Sequence, residues 1–110
     1  MKVRANNAMS GIVIRDTEVY RVVDNKKLSK LTVSETVLYP HQTTRGHKHP
    51  ESEEVYVFLS GIGSILIDGN IEQVRAGDTV SMQAGAFHQV RNHGENNLVF
   101  ISVFENYGTR

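Results

Sequence analysis

Residues 43–61 read TTRGHKHPESEEVYVFLSG, and they place two of the chain's five histidines on either side of a single lysine. In extended backbone, side chains alternate between faces, so His47 and His49 point the same way with Cα atoms about 6.6 Å apart. Two imidazoles so placed can both reach one cation. Pro50, Glu51 and Ser52 supply a turn, and the EVYVFL run after it has the β-branched and aromatic content of a strand. A strand returning beside the histidines can bring a carboxylate to the same point. Glu53 and Glu54 face opposite sides of it, so only one of them qualifies. His88, in GAFHQVRN, adds a third imidazole if its strand neighbours the first two. Taken singly, His47 and His49 read as solvated loop residues and His88 as a satisfied core histidine; their joint spacing singles them out.

Outward from this stretch the chain keeps one character. GIVIRD, EVYRVVD, LTVSETVLYP, SILIDGNIEQV, RAGDTVSM, AFHQVRN and LVFISVF are short apolar runs separated by turn residues. Asp68 and Gly69 between two apolar runs mark a hairpin. LTVSETVLYP alternates as a half-buried strand should, and Pro40 ends it. GIGS at 61–64 reads as a strand connection. Eight to ten short strands without a helical stripe bury their apolar faces only by closing or pairing sheets, so the expected fold is an all-β barrel of two sheets.

The 110 residues suffice for one domain, with residues 1–10 expected to form a flexible N-terminal arm. Twelve basic residues balance twelve acidic ones, which gives no global field toward nucleic acid or an anionic membrane. Without cysteine there is no disulfide, no thiolate ligand and no thiol nucleophile. No secretory h-region, membrane-length apolar run, nucleophile elbow or phosphate-cradling loop is present. A cytoplasmic protein with a small-molecule ligand, and with neither nucleic acid nor membrane as partner, is the expectation.

Two segments resemble the paired motifs of the cupin superfamily. The first motif runs G, five residues, H-x-H, three or four residues, E, six residues, G; His47, His49, Glu54 and Gly61 match, and His41 stands where the leading glycine is expected. The second runs G, five residues, P-x-G, two residues, H, three residues, N; Gly77, Gly85, His88 and Asn92 match, and Gln83 replaces the proline. The resemblance covers residues 41–92, about half the chain. It implies a double-stranded β-helix, or jelly-roll barrel, in which His47, His49, Glu54 and His88 surround one divalent metal ion, and it implies a homodimer. Three neutral imidazoles and one carboxylate leave such an ion a net charge of +1, and a six-coordinate metal keeps two open positions. Fe, Mn, Ni, Co and Zn all suit this donor set.

TRGHKH followed by EVY is also similar to segments of the cupin-type phosphoglucose isomerases, which implies Thr44, Gly46 and Tyr56 as substrate-binding residues. Arg45 and Lys48 add positive charge useful to an anionic substrate. Structural roles are open to the same residues: an extended backbone for Thr44, a tight bend for Gly46, barrel core for Tyr56. The leading expectation is a metal-dependent isomerase or epimerase of a sugar or sugar phosphate, with Tyr56 or His41 as candidate acid or base. An iron-dependent dioxygenase and a non-catalytic binding or storage module are the competing readings, so whether the protein is an enzyme stays open at this stage.

Overall fold

The computed structural model describes residues 11–106, so the arm expected at 1–10 lies outside the described residues. Nine strands follow one another: β1 (Ile12–Asp16), β2 (Tyr20–Asn25), β3 (Leu31–Leu38), β4 (Glu54–Ser60), β5 (Ile62–Ile67), β6 (Asn70–Arg75), β7 (Thr79–Met82), β8 (His88–Asn92) and β9 (Leu98–Glu105). A six-stranded sheet runs β1-β2-β3-β9-β4-β7 and a three-stranded sheet runs β6-β5-β8. This is the all-β, two-sheet barrel expected from the strand pattern.

Register decides which side chains face inward. Across β3, β9 and β4 the aligned rows include Thr36, Phe100 and Phe58, then Ser34, Ser102 and Tyr56, then Thr32, Phe104 and Glu54. Phe58, Phe100, Leu38 and Leu98 are almost fully buried and pack with Ile65, Val74 and Val90 of the smaller sheet. Ridding these side chains of water is the main favourable term in the fold. Glu54 and Tyr56 therefore point into the barrel because they alternate in step with Phe58. The expectation of a half-buried β3 is corrected here. Residues 34 to 38 of β3 are buried on both faces.

The hairpin expected at Asp68–Gly69 joins β5 to β6, with Ile67 opposite Asn70 and both turn residues at positive φ, 45° and 85°. Such angles give the turn the twist of the flanking strands. GIGS is more than a connection, since β5 already begins at Ile62. Gly61, at φ 92°, is the point where the chain passes from one sheet to the other, and a Cβ there would lie 2.6 Å from the Asn97 carbonyl oxygen.

The motif spacing now has a backbone cause. Gly61, Gly77 and Gly85 all have positive φ, and so does His41, at 64°, where the superfamily pattern has glycine. A β-carbon makes that conformation costly. His41→Gly is expected to raise stability by about 0.5–1 kcal/mol in urea denaturation, since the strain relieved outweighs an exposed His41–Glu95 pair. No gain in the unfolding midpoint would contradict this account.

Candidate metal centre

The segment before β4 runs antiparallel beside β8, with Thr43 opposite Arg91 and His47 opposite His88. The His47 amide donates to the His88 carbonyl at 3.1 Å and the His88 amide donates to the His47 carbonyl at 2.9 Å. Four steps on one strand thus match three on the other, which is a β-bulge. Without the extra residue Gly46 would oppose His88, and His47 and His49 would face away from it. Inside the bulge, Thr44 holds the chain to β8: its amide donates to the Val90 carbonyl at 2.8 Å, and its hydroxyl oxygen accepts from the Val90 amide at 2.9 Å. Gly46 is required by packing, because a Cβ there would collide with the Phe87 ring.

The donor atoms converge. Oε1 of Glu54 lies 3.0 Å from His88 Nε2, 3.7 Å from His49 Nε2 and 4.0 Å from His47 Nε2. Ligand atoms of His47, His49 and Glu54 all lie within 4.8 Å of one another. Donors bound to one ion at about 2.0–2.2 Å stand roughly 3 Å apart when adjacent and about 4.2 Å apart when opposite, and the three separations from Glu54 fall in that range. The chemistry of the site fits as well. Glu54 Oε1 and His88 Nε2 are buried and make no aligned hydrogen bond despite their 3.0 Å approach. Buried polar atoms of this kind are rarely left so unless something else binds them.

Neighbours fix the rings. His88 Nδ1 lies 3.2 Å from the Ala86 carbonyl oxygen, so it is the donor there and Nε2 carries the lone pair toward Glu54, the arrangement usual for a ligating histidine. His49 stacks on Phe104 with ring planes 7° apart, and its carbonyl accepts from the Gly85 amide at 2.8 Å. Tyr56 meets His88 edge-on at 5.5 Å. Asn92, the last residue of the second motif, is a staple: its amide nitrogen donates to the Leu38 and Asn96 carbonyls, each at 2.9 Å, and its oxygen accepts from the Gly94 amide.

The His47 side chain is the most open of the four, 39% exposed against 2% for Glu54. It lines a cleft of about 320 Å³ together with Thr44, Arg45, Gly46, Tyr56, Tyr20 and Arg15. Thr44, Gly46 and Tyr56 thus share one cavity with His47, the one member of the donor cluster that lines it. His41 does not join them; it is exposed, with Nε2 2.9 Å from Glu95 Oε1. Lys48 and Glu53 are exposed outside the cleft lining, and His93 sits with Nε2 2.7 Å from Ser64 Oγ. Arg15, far away in sequence, is the residue that strand patterns could not assign to this cavity.

A family model describing a cupin domain matches residues 34–104. The chain belongs to the cupin family. This cupin is 28% identical over 96 residues to an uncharacterized protein of Methanocaldococcus jannaschii, covering 84% of this chain and 72% of that one. It is 32% identical over 66 residues to an oxalate-binding protein of Thermotoga maritima, covering 60% of this chain and 54% of that relative, so the match spans about half of the relative's length. Among solved structures, a Thermotoga maritima protein described as a predicted oxalate decarboxylase superposes with a TM-score of 0.78 at 23% identity, covering 96% of this chain and 98% of that one. KdgF from Halomonas superposes at 0.76 with 14% identity, covering 86% of each chain. These superpositions establish the double-stranded β-helix fold. No helix among the described residues is long and apolar enough to cross a membrane.

Proposed function

We propose that this cupin holds one divalent ion between His47, His49, Glu54 and His88 and acts there on a small oxygenated metabolite, a sugar or sugar phosphate, in a reaction of the isomerase or epimerase type. The observation that carries the reading is the convergence of these donor atoms at the side of a cleft large enough for such a molecule. A divalent ion supplies Lewis-acid polarisation of substrate oxygens when bound.

The chain's own residues provide the rest. Substrate enters past His47, the most open of the donors. Thr44, whose oxygen already accepts from Val90, keeps its hydroxyl proton for a ligand. Tyr56 is held between Phe100 and His88, and its phenol is the proton-bearing group of this reading; the turn of His41 toward Glu95 speaks for Tyr56 over His41. A cytoplasmic homodimer belongs to the same proposal by family resemblance, and sedimentation of a 12.3 kDa species alone would refute the dimer.

A second reading is favoured by the relative named as oxalate-binding: a module that binds a small acid without turning it over. Protein purified without a histidine tag or chelator is expected to carry one divalent ion per chain and to turn over a member of a sugar and sugar-phosphate panel anaerobically, with Fe, Mn, Ni, Co or Zn. Saturable binding without turnover under all five metals would move the assignment to the binding module. Fe(II)-dependent oxygen consumption would overturn it in favour of a dioxygenase.

A further inference from the structure

Arg15 of β1 and Arg45 of the segment beside β8 line the same cleft, both of them exposed, and each sits at a β-bulge. On β1 the register to β2 shifts between Val13 and Arg15, so that Val13 opposes Val23 and Arg15 opposes Val22. Val22 faces the barrel interior in the row of Thr36 and Phe100. In regular pairing Ile14 would take that inward position, and Arg15 would point outward. The single extra residue sets Arg15, still exposed, on the cleft side of β1 opposite Val22, where regular pairing would set an isoleucine. Arg45 belongs to the second bulge, the one that also aims His47 at His88. Bulges re-aim side chains at functional sites, and here two of them converge.

The charge balance of the cavity follows. Its lining holds Arg15 and Arg45 and no aspartate or glutamate. Among the described residues neither guanidinium forms an ion pair with a carboxylate. With an ion of residual charge +1 beside them, two further positive charges in one cleft leave a ligand strongly favoured if it is anionic. Guanidinium is suited to planar, two-pronged binding of carboxylate or phosphate oxygens.

We infer that Arg15 and Arg45 form an anion clamp, and that the ligand of this cleft carries a carboxylate or phosphate group on them in addition to the oxygens it offers to the metal-ligand ring. This rests on the reading of the cleft as the substrate site and narrows it: neutral sugars are excluded, and acids or phosphate esters with a second, remote oxygen pair are selected.

The test compares ligands that differ only at the remote end. Malate against lactate adds a carboxylate, and 3-phosphoglycerate against glycerate adds a phosphate, while the α-hydroxy acid group is kept. Calorimetry on Mn(II)-loaded protein is expected to show the more highly charged member of at least one pair binding roughly tenfold or more tightly. That preference should fall to near unity in the Arg15→Gln/Arg45→Gln double variant and return in part in Arg15→Lys/Arg45→Lys. Which pair responds identifies the anion. Equal binding within both pairs, or a preference that survives the double glutamine variant, overturns the clamp. Elemental analysis of the same samples separates the two claims. If no manganese is retained, the metal reading fails by itself, and the same pairs titrated at millimolar concentration into metal-free protein, followed by amide chemical shifts of residues 13–16 and 44–46, decide the clamp alone.

Discussion

Replacing His47 and His49 together by alanine is expected to lower divalent-ion affinity by at least about a thousandfold and to abolish the rise in melting temperature that the ion gives the native chain. The direction follows from geometry: the variant keeps Glu54 and His88, which lie 3.0 Å apart, but removes two of the donors clustered around Glu54. The size follows from what lesser changes do, since loss of a group that merely orients a ligand costs roughly 10–100-fold in affinity. A ligand that binds only the native state raises stability by RT ln(1 + [L]/Kd), so the same loss appears as a missing thermal shift. The metal-free variant should melt somewhat below the metal-free native chain, because His49, 11% exposed, stacks on the buried Phe104. Ion uptake unchanged in the double variant would end the case for this centre.

The second large effect concerns the barrel itself. Phe58→Ala is expected to cost about 3–5 kcal/mol, the usual range for removing a fully buried phenylalanine. In a chain of this size that corresponds to a melting temperature lower by roughly 15–25 °C. Phe58 has no exposed surface, packs against Phe100 at 5.2 Å and Tyr56 at 6.3 Å, and stands on the same face of β4 as Glu54. Collapse around the cavity would shift Tyr56 and loosen the ring of donors, so ion affinity should weaken as well. A loss below about 1 kcal/mol in chemical denaturation would show that the two sheets do not close on this residue.

These two predictions draw on features of unequal visibility in the sequence. Part of the cluster was legible because strand periodicity is local: His47 and His49 share a face by parity, and alternation makes Glu53 and Glu54 exclusive of one another, whereas the choice of Glu54 and the addition of His88 come from the resemblance to the cupin motifs. The Asp68–Gly69 hairpin was legible for the same reason, its positive φ angles being what that residue pair tolerates. Burial of β3 on both faces was not legible, because it depends on what covers the second face of the sheet, which alternation along one strand does not record. Arg15 was invisible for a sharper reason. Its place on the cleft side of β1 depends on one unmatched residue in the pairing of β1 with β2, and pairing is a relation between strands that no single run of side chains records. The bulge at residues 44–46 is hidden in the same way. Straight alternation along residues 43–49 correctly put the two histidines on one side, but only the bulge makes it the side that His88 faces.

The donors are divided between the layers of the barrel. Glu54 belongs to the larger sheet, while His88 and the segment bearing His47 and His49 belong to the edge of the smaller one. An ion held among them would be a cross-tie between the layers, of the kind a disulfide provides in other small proteins and a chain without cysteine lacks.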